Sequence, residues 1–467
     1  MPGVLGIPGS LLLLMCLVWR GVSVMVAAPV CVLLAAVVDG GTPLLAGYTQ
    51  IFMPGVGQFI ARYFPLFLLG AIFGVQMQRS GAARRIAVVL TNRFGSARAI
   101  PAVVLTCALL TAGGVSLFVV VFAVYPIAEY LFRRANVPRR LIPGAIALGS
   151  FTFTMTALPG SVQLANLIPM PFFGTSAWAA PGVGFSASVG MLVLGLSWLG
   201  YRARRARMQG EGFGVFADED PAAVAGAGGT ALSDEGQLPS AWASFAPIGV
   251  VLLANLLMSF WILPGLDTSY LGEARFGGTN LSRVLGTWSA ILSLLLAVGL
   301  AGVLFSGSVR RLNEWLSEGA LSSLLPVFNT AMEYGYGTTI ASLAGFAVIR
   351  EWLGSLSVGN PLIAEAVAVN VLAGVAGSAS GGLSIALESL GASWVQQGML
   401  SGVDPELMHR VASLSCGGLD SLPHNGAVIT LLLVCRSTHR ESYMDIGVVS
   451  VLIPLLITLL AVLYGLS

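Results

Sequence analysis

The chain has 467 residues, of which 56% are apolar and only 9% are charged, and its mean hydropathy is +0.86. This composition excludes a soluble globular protein. Apolar stretches of near-spanning length, without ten-residue segments of alternating polarity, favour a helical membrane protein over an outer-membrane barrel. The net charge of +2 carries no information about a partner, and no nucleic-acid partner is predicted. The high hydropathy predicts the lipid bilayer as a partner.

The first half, residues 1–201, is predicted to contain four plain spans, at residues 4–19, 21–38, 58–78 and 182–201. An Arg-bearing helix at 82–94 precedes an apolar segment, 101–133, which is interrupted around Gly113 and Gly114. Each arm of that segment is too short to span, which predicts a re-entrant helical hairpin. Residues 141–168 form a broken helix, because Pro159 lacks an N–H and stops a helix.

Residues 202–241 are predicted to form a cytoplasmic linker, since they combine an Arg cluster, an acidic patch and an Ala/Gly-rich stretch. The second half, residues 242–467, then repeats the order of the first. Spans are predicted at 242–263, 284–305, 321–343 and 446–464, with a short Arg350-bearing helix, a re-entrant hairpin at 365–397 and a broken helix at 407–435.

The spacing of the interruptions indicates an internal duplication. Pro159 follows Gly113 by 46 residues, and Pro423 follows Gly377 by the same number, so the halves superpose with an offset of 264. Interrupted segments at corresponding positions in two halves are typical of secondary transporters and indicate their binding sites. The fold prediction is therefore an all-α membrane protein of two inverted repeats, each with a re-entrant hairpin and a broken helix.

The distribution of arginine predicts the orientation. Counting each hairpin as entering and leaving on one side gives five crossings per half, an odd number, so the halves are inverted. All 23 basic residues are Arg, and an external N-terminus puts 18 of them in the cytoplasm, as the positive-inside rule requires. Arg410 is among the five placed outside. Both termini are then periplasmic, and the two hairpins enter from opposite sides.

Helices that begin inside the membrane, after Gly114, Pro159, Ser380 and Pro423, would present N–H groups and positive dipole ends to an anion. No Arg lies at either break in the sequence, so a small carboxylate would be held by dipoles and hydroxyls. The alternative is that these small polar residues only let helices pack closely. The polar residues near the breaks include Ser116, Thr156 and Ser161 in the first half and Ser378, Ser380, Asp420, His424 and Asn425 in the second.

Asp420 and His424 are the titratable pair at the second break, and ionisable groups at membrane depth are costly and usually functional. His424 could take up a coupling proton with the help of Asp420, contact the substrate directly, or only brace Pro423 through a hydrogen bond. Glu388, in the second hairpin arm, is a further candidate for proton coupling.

Two other classes of membrane protein, an intramembrane hydrolase and an anion channel, are alternatives to a transporter. An intramembrane hydrolase is disfavoured, because Ser378-Ala379-Ser380-Gly381 lacks the leading Gly of an intramembrane serine protease motif, and no metal or phosphate motif is present. An anion channel fits the composition but does not explain two oppositely oriented hairpins.

Two stretches carry a resemblance to a known family: residues 370–388, around Gly377-Ser378-Ala379-Ser380-Gly381-Gly382, and residues 417–427, around Asp420-Ser421-Leu422-Pro423-His424-Asn425. The chain resembles the gluconate permease family of the ion transporter superfamily, and within it the branch of 3-hydroxybutyrate permeases. Gluconate carriers read Gly-Ser-Ala-Thr-Val at the hairpin tip, where this chain has Gly377-Ser378-Ala379-Ser380-Gly381, which argues against gluconate.

The resemblance implies a homodimer with a scaffold domain and a mobile transport domain, working by an elevator motion. It implies symport of a small hydroxy-monocarboxylate, 3-hydroxybutyrate first and gluconate or another sugar acid second, with H⁺ as coupling ion, Na⁺ as its alternative and no cofactor or metal. Substrate contacts would come from Ser378, Ser380, Asp420, His424 and Asn425, with Gly113, Gly114 and Ser116 as their first-half counterparts.

Overall fold

The computed structural model describes residues 2–20, 22–94, 98–115, 117–214, 238–348, 351, 360–423 and 425–466. Within these residues the chain is helical and contains no β-strand, which confirms the all-α prediction. Five of the described helices are long and apolar enough to cross a membrane. Residues 215–237 of the predicted linker and Arg350 lie outside the described residues.

The first half contains, in chain order, α1 (Pro2–Trp19), α2 (Val24–Asp39), α3 (Leu44–Arg79), α4 (Ala82–Phe94), α5 (Ala99–Ala112), α6 (Leu117–Arg134), α7 (Ile142–Ser150), α8 (Phe153–Thr156), α9 (Leu164–Phe173) and α10 (Pro181–Met208). Helix α10 continues seven residues past the predicted start of the linker, so the Arg cluster there is helical rather than extended.

The second half contains α11 (Ala241–Ile262), α12 (Leu281–Phe305), α13 (Val309–Ser342), α14 (Pro361–Ala376), α15 (Ala379–Ser401), α16 (Pro405–Cys416), α17 (Gly426–Val434) and α18 (His439–Leu466). Helix α13 has 34 residues and begins twelve residues before the predicted span. It packs along α3, its counterpart in the first half, in the most extensive contact between the described helices.

Both hairpins form where the sequence predicts them, α5 with α6 and α14 with α15. Their tips turn at Gly114, with a φ of 89°, and at Gly377, with a φ of 62°. A positive φ is open to glycine without steric cost, so each glycine ends one arm and lets the next begin at once. The second hairpin extends from Pro361 to Ser401, a few residues beyond its predicted bounds at each end.

The first broken helix is more interrupted than predicted. Helix α7 ends at Ser150, before Pro159, and only the four-residue α8 precedes the break. The hydroxyls of Thr152 and Thr154 donate to the carbonyls of Leu148 at 2.6 Å and Gly149 at 2.7 Å. Threonine side chains that bond nearby backbone groups offer an alternative to the helical ladder, which accounts for the early interruption.

The second broken helix agrees with its prediction more closely. Helix α16 ends at Cys416 and α17 begins at Gly426, so the break lies between these two helices. The duplicated architecture is therefore confirmed: each half contains a hairpin, then an interrupted helix, then a long closing helix. Apolar residues from both halves form one continuous core.

Candidate functional site

A cavity of about 730 Å³ lies where the hairpin tips meet the two breaks, within the size range of small-molecule sites. Its wall combines the second hairpin tip, both breaks, Gly114 of the first tip, and the facing sides of α3 and α13. The wall includes polar and small residues from both halves of the chain: Gly114, Gln163, Asn329, Glu333, Gly377, Ser378, Ser380, Asp420 and Asn425.

The second hairpin tip presents Ser378 and Ser380 to this cavity. Ser378 is the N-cap of α15, and its Oγ accepts a hydrogen bond from the Gly381 N–H at 3.1 Å. The helix therefore begins at Ala379, two residues earlier than expected, and Ser380 lies in its first turn. Because a side chain already occupies one N–H of this helix start, fewer backbone donors remain for an anion than the sequence suggested.

Asn425 joins the second break to the hairpin tip. Its amide nitrogen donates to the carbonyls of Gly377 and Asp420, both at 2.8 Å. Its amide oxygen accepts from the N–H groups of Ala427 at 2.6 Å and Val428 at 3.0 Å, which makes it the N-cap of α17. Asn425 thus organises the site through its own side chain, and two N–H groups of this helix start are already used.

Asp420 lies in the cavity wall and is 5% exposed. One carboxylate oxygen accepts from the Ser421 hydroxyl at 3.0 Å. His424 and Ser116 lie outside the described residues. The carbonyl of Pro423 accepts a hydrogen bond from Nε2 of His439 at 2.9 Å, so a histidine other than His424 braces this proline.

Among the described residues, Gly114 is the predicted site residue of the first half that lines the cavity. Gly114 lines the wall, whereas Gly113 faces Ile248 of α11. Gln163, which the sequence analysis did not single out, follows the first break, lines the cavity and donates to the Thr111 carbonyl at 2.6 Å. Gln163 therefore joins break to hairpin tip in the first half, as Asn425 does in the second.

Thr156 and Ser161 are fully buried and are not part of the cavity wall. Their hydroxyls donate to the carbonyls of Thr152 at 3.2 Å and Thr154 at 2.7 Å. These are local backbone contacts, which let the chain turn at the break, and both hydroxyls are already used as donors.

Arg410, which the arginine count places on the external side, contacts the first break from within α16. It is fully buried within α16, and its guanidinium donates to the carbonyl of Ala179 at 2.7 Å, to Asn166 Oδ1 at 2.9 Å and to the Thr156 carbonyl at 3.4 Å. Ser413, one turn further on, donates to the same Thr156 carbonyl at 2.6 Å. Helix α16 of the second half is thereby hydrogen-bonded to the break of the first half, although α16 does not line the cavity.

Glu388 also lies away from the cavity wall. Its carboxylate accepts a hydrogen bond from the Tyr334 hydroxyl on α13. This contact joins the second hairpin arm to α13 at a point separate from the substrate-sized space.

Two cavity residues on α13 are not among the predicted site residues, because the sequence predicts residues 321–343 as a plain span. Asn329 has a buried Oδ1 without a hydrogen-bond partner. Glu333 is 4% exposed and lies against the second hairpin tip. A carboxylate inside a predicted span is itself a signal of function, and that signal could have identified Glu333 from the sequence.

Comparison with known proteins agrees with this architecture. Residues 4–172 match the model of the GntP family permeases. An uncharacterized transporter of Bacillus subtilis, YxjC, is 42% identical over 446 residues, which cover 94% of each chain. This chain belongs to the GntP permease family. A transporter of Haemophilus influenzae is 36% identical over 103 residues, 22% of this chain and 24% of its own length.

The YdaH transporter of Alcanivorax borkumensis, described as having an unusual topology, shares the fold with a TM-score of 0.56. Its sequence is 17% identical, and the match covers 90% of this chain and 87% of that one. The GntP-family chain is therefore a multi-pass membrane transporter, a permease rather than an enzyme.

Proposed function

We propose that this GntP-family permease imports a small hydroxy-monocarboxylate by cation symport, with 3-hydroxybutyrate as substrate and H⁺ as coupling ion. The observation that supports it most is the composition of the cavity wall. Hydroxyl and amide groups of Ser378, Ser380 and Gln163 adjoin a largely apolar wall that includes Phe67, Phe151, Met155 and Leu294. A short chain with one carboxylate and one hydroxyl matches such a wall.

Gluconate is the second candidate, since it is also a hydroxycarboxylate. A sugar acid carries hydroxyls along its whole chain, and each buried hydroxyl without a partner disfavours binding. The apolar residues of the cavity wall therefore favour the shorter acid. We also propose a homodimer in the bacterial inner membrane, an elevator motion of the hairpin-containing part, and periplasmic termini. A fluorescent protein fused to the C-terminus would contradict this topology if it fluoresced in the cytoplasm.

Purified protein in liposomes, given labelled 3-hydroxybutyrate outside, tests the function. An inward pH gradient without Na⁺ should drive accumulation, and excess unlabelled 3-hydroxybutyrate should compete more strongly than gluconate. Uptake that only follows an imposed membrane potential and saturates at its equilibrium would indicate an anion channel instead. Gluconate uptake without 3-hydroxybutyrate uptake would replace the substrate, and accumulation that requires a Na⁺ gradient would replace the coupling ion.

A further inference from the structure

The carboxyl of Glu333 is placed unusually with respect to the second hairpin tip. Helix α13 brings it against Gly381, so close that a methyl group at Gly381 would overlap the carboxylate. Ser378, whose Oγ accepts from the N–H of the same Gly381 at 3.1 Å, lines the cavity together with Glu333. Ser378 and Gly381 lie at the start of α15, at the hairpin tip, whereas Glu333 belongs to the long helix that packs on α3.

The charged groups around Glu333 do not neutralise it. On α13 itself, Glu318 pairs with Arg79 at 2.7 Å. From α15, Glu388 contacts the neighbouring Tyr334, and from α3, Arg62 lies near Tyr334 and Tyr63. Asp420 lines the same cavity, and His424 lies outside the described residues. Among the described residues, Glu333 forms no ion pair, so its charge is compensated by hydroxyl contact or by a proton.

The repeat shows that this arrangement is specific to the second half. The offset of 264 puts Leu69 and Leu117 at the positions equivalent to Glu333 and Gly381. Gly70, next to Leu69, lies against the Gly114 carbonyl of the first tip, so α3 meets its hairpin as α13 meets the second. The equivalent positions are apolar in the first half, whereas the second half has a carboxyl at one of them.

We infer that Glu333 binds the proton that is co-transported with the carboxylate substrate. This inference rests on the proposed function, since it assigns the proton of that same site. An anionic substrate at Ser378 and Ser380 would be repelled by a charged Glu333 across a cavity of low polarity. Substrate and proton therefore bind together, because protonation removes the repulsion.

The Ser378 hydroxyl makes the linkage stronger. A hydroxyl has one proton to donate. While Glu333 is charged, Ser378 donates that proton to it; once Glu333 is protonated, the carboxyl O–H donates to Ser378 instead, and the Ser378 proton is free for the substrate carboxylate. No bond other than these O–H contacts changes, and the proton leaves Glu333 when the cavity opens to the opposite side.

The test compares Glu333→Gln with wild type in liposomes. A one-proton symporter under a pH gradient of one unit accumulates substrate up to about tenfold. Glu333→Gln resembles the protonated side chain. In this variant the internal substrate concentration should rise only to the external concentration. Exchange of labelled for unlabelled substrate should persist and should no longer depend on pH. Gly381→Ala, which displaces the carboxylate from Ser378, should uncouple in the same way. Glu314→Gln, an exposed carboxylate on the same helix, is the control.

Undiminished accumulation by Glu333→Gln would overturn the inference, and so would loss of exchange in well-folded protein, since that indicates a structural role. Infrared difference spectra between low and high pH give a readout that needs no substrate. A protonated-carboxyl band should be present in wild type and absent in Glu333→Gln; an unchanged band would also overturn the inference. Failure of wild type to transport any carboxylate would instead contradict the proposed function.

Discussion

Asn425 shows at the residue scale how one side chain can hold two broken elements together. Its amide uses both functions, the oxygen as the cap of α17 and the nitrogen as donor to carbonyls of the break and of the hairpin tip. An amide is suited to this position because serine lacks the second donor and aspartate lacks both. The geometry of the second break thus depends on an uncharged residue.

Replacing Asn425 with Ala should lower the stability of the protein and its uptake together. Loss of an N-cap costs about 1 kcal/mol, and each buried carbonyl left without its partner costs about 1–3 kcal/mol. Asn425→Asp should keep the cap but reduce uptake, because it removes both donors and adds negative charge to the cavity. Thermal unfolding in detergent and labelled uptake measure the two effects, with the partly exposed Thr430→Ala on the same helix as control.

At the scale of the element, the second hairpin depends on close approach of its arms. Gly382 of α15 lies against the backbone of Ala373 on α14, where any side chain would overlap that backbone. Small residues that let helix backbones approach are the usual basis of helix packing in membranes. The tip can present Ser378 and Ser380 to the cavity only because the arms below it are this close.

Gly382→Ala should therefore separate the arms and destabilise the protein by about 1–3 kcal/mol, as overpacking does. The matched control is Gly299→Ala on α12, where a methyl group meets no other atom within 4 Å; its helix should gain about 0.5–1 kcal/mol. Melting temperatures of the two variants in one detergent provide the comparison. Equal melting temperatures would show that the arms are not tightly apposed.

At the scale of the whole molecule, ionic contacts join the two halves. The fully buried Asp445 of α18 accepts from Arg202 Nε at 2.8 Å and Trp198 Nε1 at 3.0 Å on α10, and pairs with Arg140 at 3.4 Å. Arg140 also pairs with Glu211 at 2.7 Å, and this guanidinium holds the pKa of the Glu211 carboxyl below its ordinary value. The halves are thus tied at one end of the fold by charge and near the first break by Arg410.

Asp445→Asn should destabilise the protein by about 3–5 kcal/mol, because it removes the buried carboxylate that pairs with the largely buried Arg202 and leaves Arg140 paired with Glu211 alone. Glu211→Gln, in the same network but partly exposed, should cost at most about 1 kcal/mol. Since the Glu211 pKa is lowered in the folded state, its contribution is present above the ordinary carboxyl pKa and is lost as the pH falls. Melting temperatures at neutral and acid pH test both, and an equal loss in both variants would contradict this assignment.

The sequence alone determined the class, the breaks and the duplication. Hydropathy over a whole segment decides whether that segment enters a membrane. The missing N–H of proline and the missing Cβ of glycine act locally on the backbone, so the breaks at Pro159, Pro423, Gly114 and Gly377 could be predicted without a structure. The two hairpins and the family assignment followed from these local features and from the residues around them.

Only the tertiary structure decided which polar groups share the cavity. Thr156 and Ser161 stand at a break yet bond to nearby backbone, while Glu333 and Gln163, which were not among the predicted site residues, line the cavity. The direction of a side chain at a break depends on the helices packed against it, which come from distant parts of the chain. For that reason the sequence did not show that Arg410, within the predicted broken helix 407–435, is buried and bonds to carbonyls of the opposite half.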